Sequence, residues 1–169
     1  MDFKDVIKAA LTEYMEDLEA ALDGATAQER RFQPTRTANH IDYIVWHMAR
    51  VEDGIINRRI CEDLQIWEHG GWYSRLSLPR EGNGEGFSTE QVATLPGFSF
   101  DDLMEYYRAV RQNSFRVIDS LTHDDLSRIP DPDRPRWNIA SILAHLVVEE
   151  AQHVGQVAYI RGLHHGVDG

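Results

Sequence analysis

The sequence has a single cysteine and lacks any long hydrophobic run. Because Cys61 is the only cysteine, no disulfide can form within the chain, which is typical of proteins in a reducing cytoplasm. No stretch approaches the roughly 18 consecutive apolar residues that a membrane span requires. The residues from Met1 to Asp5 begin an amphipathic pattern and lack the apolar segment of a signal peptide. We therefore predict a cytoplasmic protein without a membrane-spanning segment.

Positive charge is also scarce. The chain has 17 Lys and Arg against 28 Asp and Glu, a formal net charge of −11. Binding to a phosphate backbone requires a basic surface, and no Lys/Arg cluster stands out along the sequence, so nucleic acid is not an expected partner. The length of 169 residues and the hydrophobic content of 42% are typical of one folded domain. We expect residues 1–169 to form that single domain.

Four stretches have the apolar spacing of amphipathic helices, and none alternates like a β-strand. The predicted helices are Phe3–Leu22, a second one from near Thr37 to Ile60, Ser99–Leu121 with Ser99 as N-cap, and Asn138–Gly162 with Asn138 as N-cap. Each has one apolar stripe, and stripes of this kind are buried most simply against one another. The predicted fold is all-α, a four-helix bundle.

A long insertion, residues 62–98, separates the second and third predicted helices and is rich in glycine. A loop of this length within a compact domain is usually functional or mobile. A short helical turn is predicted at Ser88–Leu95. Four residues of the insertion can line a substrate pocket at the mouth of the bundle: Trp67, His69, Trp72 and Tyr73. For Trp67 and Trp72 the alternative is that they only hold the insertion against the helices.

Two polar residues lie on the apolar face of the fourth predicted helix. Successive residues rotate by about 100° around a helix, which places Glu149 and His153 in the same stripe as Ile142 and Leu146. A carboxylate on a buried face must be neutral, paired or bound to a cation. His153 follows Glu149 by one turn, so both side chains can reach one ion. His145 is also four residues from Glu149, and the spacing alone does not choose between the two histidines.

His47 lies at the edge of the apolar stripe on the second predicted helix. If the second and fourth helices are neighbours, His47 can meet Glu149 and His153. Two imidazoles and one carboxylate suit Zn²⁺, Ni²⁺ or Fe²⁺ and leave coordination positions for water and substrate. Two simpler interpretations remain open: His47 is a hydrogen-bonded core histidine, and Glu149 with His153 is a metal-free ion pair.

The segments W-H-M-A-R-V-E at 46–52 and H-L-V-V-E-E-A-Q-H-V-G-Q at 145–156 resemble the DinB-like superfamily, also called the YfiT-like metalloenzymes. The resemblance extends over nearly the whole chain. Its members are four-helix bundles that commonly hold a divalent metal through one residue of the second helix and two of the fourth. The resemblance implies His47, Glu149 and His153 as the ligands. It places His145 and Gln156 beside them, where they would orient a ligand or a bound water.

Many members of the superfamily have histidine where this chain has Glu149. The His/Glu/His set is similar to that of mycothiol-dependent maleylpyruvate isomerase, a member that uses a low-molecular-weight thiol as cofactor. The resemblance therefore implies a metal-dependent enzyme that acts on a small molecule, either a thiol-dependent transferase or isomerase or a hydrolase. Zinc or nickel is the expected metal, with iron as a further candidate. Because relatives are often dimers, the resemblance also implies a homodimer.

A second interpretation is a non-catalytic helical bundle with a binding or stress-related role. In that case the metal only stabilises the fold, or no metal is bound. A structural metal is enclosed by four protein ligands, whereas a catalytic metal keeps an open position. A cavity beside the three candidate ligands therefore distinguishes the two interpretations.

Overall fold

Four long helices dominate the structure, a computed structural model that describes residues 2–166. We number them α1 (Phe3–Leu22), α2 (Ile41–Asp53), α3 (Phe100–Ser120) and α4 (Ile139–His165). The connections contain the short helices Ala27–Arg30, Ile66–His69, Trp72–Arg75 and Thr89–Ala93 and the 3₁₀ turn Asp124–Ser127. Within residues 2–166 there is no β-strand, and the predicted all-α class is confirmed.

Side-chain caps determine where the long helices begin. Ser99 and Asn138 each accept a hydrogen bond from a backbone N–H of the first helical turn, as predicted. Helix α2 begins at Ile41 and not near Thr37, so that boundary was wrong. The cause is His40, whose ring Nδ1 accepts a hydrogen bond from the Tyr43 backbone N–H at 3.0 Å. Histidine is not a usual cap, and the sequence therefore gives little indication of this start.

The long helices pack pairwise around a core in two parts. Helix α4 packs against α1 and α2, and α2 also packs against α3. One hydrophobic cluster contains Trp46 and Trp67, and the other contains Ile56 and Leu143. None of the helices formed by the described residues is long and apolar enough to cross a membrane.

A layer of buried polar side chains separates the two hydrophobic clusters. The layer consists of Glu52 on α2, Arg111 on α3 and Glu150 on α4, all of them buried. The flanking core residues are Ala49 on α2 and Ile55 just after its end, Val110 and Ile118 on α3, and Leu146 and Val154 on α4. On each of these helices the change from one cluster to the other therefore occurs at a charged residue.

Helix α2 continues as a π-helical segment, Gly54–Ile60. Helices of this type are rare and occur frequently at functional sites. A side chain at Gly54 would place its Cβ 3.1 Å from Nε2 of Gln65, so glycine lets the insertion approach the helix closely. The adjacent Asp53 carboxylate accepts hydrogen bonds from the backbone N–H groups of Ile66 and Trp67 at 3.0 and 2.9 Å. These contacts fix the first part of the insertion to α2.

Candidate metal centre

The packing of α2 against α4 brings the three predicted ligands together. His47, Glu149 and His153 each offer a donor atom, and these atoms all lie within 4.8 Å of one another. His47 is buried, whereas Glu149 and His153 are half-buried. The rings of His47 and His153 are 5.1 Å apart between centroids. The juxtaposition predicted from helix periodicity is therefore present.

Backbone carbonyls select the same tautomer in both imidazoles. Nδ1 of His47 lies 2.6 Å from the carbonyl oxygen of Asn83, and Nδ1 of His153 lies 2.9 Å from the carbonyl oxygen of Glu149. Because a carbonyl oxygen only accepts, each Nδ1 carries a proton and donates it. The lone pair of each neutral ring is then on Nε2, the nitrogen left to bind a metal.

The environment of His47 favours the neutral form of its ring, which is the form that binds a cation. Burial lowers the pKa of the His47 imidazole, and the neighbouring His153 lowers it further. The ring is therefore neutral at neutral pH. Two neutral imidazoles and one carboxylate form a donor set that fits Zn²⁺, Ni²⁺ or Fe²⁺. A divalent metal would be held by His47, Glu149 and His153.

A segment of the insertion, residues 82–84, lies across α2 beside the candidate ligands, and we call it the strap. Three side chains of α2 donate hydrogen bonds to its three successive carbonyl groups. The donor–acceptor pairs are Arg50 to Gly82 at 2.9 Å, His47 to Asn83 at 2.6 Å and Tyr43 to Gly84 at 2.8 Å. The ring of Tyr43 is also stacked on His47 at 5.9 Å. The strap and α2 therefore orient the His47 ring together.

Gly84→Ala is expected to lower the free energy of unfolding by about 1–3 kcal/mol more than Gly82→Ala. Both glycines have positive φ, of 90° and 77°, so both variants introduce backbone strain. Only at Gly84 does an added Cβ clash, at 2.8 Å from the Trp46 ring and 3.0 Å from the Tyr43 ring. Urea denaturation of the two variants measures the difference. Equal midpoints would show that the strap does not lie this close to α2.

A cleft of about 620 Å³ opens beside the three candidate ligands, and His47 and Glu149 form part of its wall. The insertion contributes Gln65, Asn83 and Glu85 to the same wall. The cleft gives a small molecule access to the metal-binding atoms. This arrangement is typical of a catalytic metal site, because a structural metal is enclosed by protein ligands.

The other predicted site residues lie around the ligands in different ways. His145 is half-buried in the wall of the cleft, and its ring contacts Trp137 at 5.1 Å between centroids. Gln156 lies on an exposed part of α4. Orientation of a ligand or of a bound water by either residue stays a prediction.

The aromatic side chains of the insertion fasten it to the helices. Trp67 is fully buried, and its ring lies 5.0 Å from that of Tyr106 and 6.4 Å from that of Trp46. Its indole N–H donates to the carbonyl of Arg80 at 3.1 Å. The half-buried Trp72 also packs against Tyr106, with 5.6 Å between ring centroids. Of the two roles considered for these residues, Trp67 and Trp72 hold the insertion in place.

Comparison with known proteins gives the family. Residues 6–166, nearly the whole chain, match the family described as mycothiol-S-transferase. The chain belongs to the mycothiol-S-transferase family. This family is DinB-like, so the resemblance seen in the sequence motifs is confirmed.

The fold of this mycothiol-S-transferase family member also occurs in a solved structure. A crystal structure described as a conserved protein from Enterococcus faecalis is similar, with a TM-score of 0.88 and 22% sequence identity. The similarity covers 98% of this chain and 99% of that protein. A search of curated protein sequences returned no match.

One important cluster in this mycothiol-S-transferase family member was missed by the sequence reasoning. Arg111 contacts Glu52 at 2.9 Å and Glu150 at 3.0 Å, and the Tyr107 hydroxyl also donates to Glu150. Burial and the neighbouring Glu52 carboxylate raise the pKa of Glu150. One guanidinium cannot neutralise two carboxylates, so the protonated form of Glu150 is favoured. The helical position of Glu150 could have indicated its burial, because Glu150 lies only about 40° from Leu146 around α4.

Proposed function

We propose that this protein is a metal-dependent transferase that joins the sulfur of mycothiol to an electrophilic small molecule. The observation that carries the proposal is the open cleft beside two histidines, His47 and His153, whose Nε2 atoms are left free by their backbone hydrogen bonds. Family membership supports the same reaction class. The carboxylate of Glu149 completes the donor set.

The chemistry expected of the site follows from its donors. When bound, a divalent metal would act as a Lewis acid and lower the pKa of a thiol, which favours the thiolate at neutral pH. Glu149 would be a metal ligand and is therefore not the general base. The hydrogen bonds from His47 and His153 to backbone carbonyls keep both rings aimed at one point. The cleft supplies room for the thiol and its acceptor.

The overall reaction balances without a further co-reactant. A carbon–sulfur bond forms between the thiol and the acceptor, while the bond from that carbon to its leaving group breaks. The thiol proton is released to solvent, and the leaving group departs as an anion. No electron transfer is involved.

Untagged protein is expected to contain about one divalent metal ion per chain and to couple mycothiol to 1-chloro-2,4-dinitrobenzene. Removal of the metal with a chelator should abolish coupling and lower the melting temperature, and added Zn²⁺, Ni²⁺ or Fe²⁺ should restore both. Elemental analysis, calorimetry and product absorbance measure these effects. Glutathione in place of mycothiol tests thiol selectivity. Metal-free protein, or coupling that survives chelation, would contradict the proposal.

A further inference from the structure

Arginine side chains surround the cleft, although the chain as a whole is acidic. Arg50, Arg58, Arg59 and Arg134 all line the cleft in a protein of net charge −11. Arg58 and Arg59 come from the π-helical segment that follows α2, and Arg134 comes from the loop before α4. The fold brings these residues together from distant parts of the sequence, so no basic run marks them.

One of the four arginines is already engaged in holding the insertion. Arg50 is buried, and it donates to the Gln65 side chain at 2.6 Å and to the Gly82 carbonyl at 2.9 Å. It also lies 3.7 Å from the Asp53 carboxylate. Its charge is therefore compensated within the protein.

The other three arginines, Arg58, Arg59 and Arg134, form what we call the arginine cluster. Arg134 is exposed, and its carboxylate neighbour Asp131 is at 3.6 Å. Within residues 2–166 no carboxylate is close enough to form an ion pair with Arg58 or Arg59. Burial lowers the pKa of Arg59, and the nearby Arg134 lowers it further. The guanidinium groups of Arg59 and Arg134 thus repel each other at this end of the cleft. Asp131 offsets part of this repulsion, and a ligand anion would offset more of it.

The helical stretch sets the distance between the arginine cluster and the candidate ligands. Arg58 follows His47 by eleven residues along the continuous helical stretch, and both residues line the cleft. The two backbone positions are therefore separated by on the order of 15 Å along the axis. The Arg59 side chain lies over the Trp137 ring at 5.2 Å, which fixes its position. A ligand that reaches from the metal-binding atoms to this cluster is extended, with its negative charge at the far end.

We propose that the arginine cluster binds a carboxylate or phosphate group of the electrophilic substrate, so that the protein acts on organic anions. Planar guanidinium groups match these anions with paired hydrogen bonds. The acidic residues in the same wall are Glu85 and Glu149, and Glu149 would be compensated by the metal. The inference rests on the proposed function, and it names the class of substrate for the same site.

Two probes of similar size and shape, one anionic and one neutral, test this inference: 4-chloro-3-nitrobenzoate and 4-chloro-3-nitrobenzamide. Calorimetric titration of the metal-loaded protein, without thiol, is expected to give about 10-fold tighter binding of the benzoate. Raising the ionic strength from about 0.05 M to about 0.5 M should weaken the binding of the benzoate and leave the binding of the benzamide unchanged. In the transfer reaction the sulfur–carbon bond forms, the carbon–chlorine bond breaks and chloride leaves.

Arg58→Gln and Arg134→Gln are expected to remove the preference for the benzoate. Both side chains are exposed, so the variants should remain folded, and melting curves check this. Arg36→Gln is the matched control, because Arg36 is exposed and lies outside the cleft. Arg59 is left unchanged because its packing on Trp137 contributes to the cleft wall.

The outcomes separate this inference from the proposed function. Equal affinity for the two probes, or a preference that persists in both cluster variants, would overturn the anion site. The neutral acceptor 1-chloro-2,4-dinitrobenzene still reports thiol transfer in that case. Conversely, a charge preference without transfer to any acceptor would leave the anion site in place and contradict the transferase.

Discussion

His47→Ala is expected to remove most of the bound metal and to lower the rate of thiol transfer by at least about 100-fold. Loss of a residue that hydrogen-bonds to a metal ligand typically lowers metal affinity or activity by about 10- to 100-fold. Loss of the ligand itself should lower them further. His47 is the candidate ligand that α2 contributes. Elemental analysis and initial rates with mycothiol measure the two losses.

His69→Ala is the matched control for this variant. His69 is an exposed histidine of the insertion, and it is not among the three grouped donors. Its replacement removes an imidazole without removing a candidate ligand, so metal content and rate should be unchanged. A His47→Ala protein that retains full metal occupancy would refute the assignment of His47 as a ligand.

Arg111→Met is expected to lower the free energy of unfolding by about 3–5 kcal/mol. The side chain of Arg111 is 7% exposed, and that of its partner Glu52 is 0% exposed. Removal of the guanidinium would leave a buried carboxylate without its cation, and the dehydration cost of that charge would no longer be offset. Urea denaturation at fixed pH measures the loss.

Arg108→Met gives the matched comparison on the same helix. Arg108 pairs with Glu19 at 2.7 Å, but the two side chains are 59% and 42% exposed. Exposed ion pairs contribute about 0–1 kcal/mol to the free energy of unfolding, so this variant should be almost as stable as the unsubstituted protein. Adding Glu52→Gln and Glu150→Gln to Arg111→Met should recover much of the loss, because no buried charge then remains unpaired. Similar losses for Arg108→Met and Arg111→Met would disprove the role of the polar layer.

Apolar periodicity was sufficient to predict much of the fold and the core of the candidate site. It located the four long helices, and the small polar residues Ser99 and Asn138 marked two of their starts. The same periodicity placed His47 and the Glu149–His153 pair on faces that meet when α2 and α4 pack. These features depend on local spacing, which a single sequence contains.

Features that depend on contacts between distant segments could not be predicted in this way. Arg111 and Tyr107 reach the buried Glu150 from another helix, and nothing in the spacing of α4 identifies those partners. The hydrogen bond that fixes His47 ends on a backbone carbonyl, which every residue possesses. The arginine cluster brings together Arg58 and Arg59 of the π-helical segment and Arg134 of a distant loop, and apolar periodicity does not show that these segments meet.

The strap contributes no candidate ligand, but it can influence how tightly a metal is bound. The Asn83 carbonyl selects the tautomer of His47. If His47 holds a metal as proposed, a change in the length or course of the insertion would alter metal affinity without a change in any candidate ligand. In a redesigned protein, that connection is a point at which affinity can be adjusted independently of the coordinating side chains.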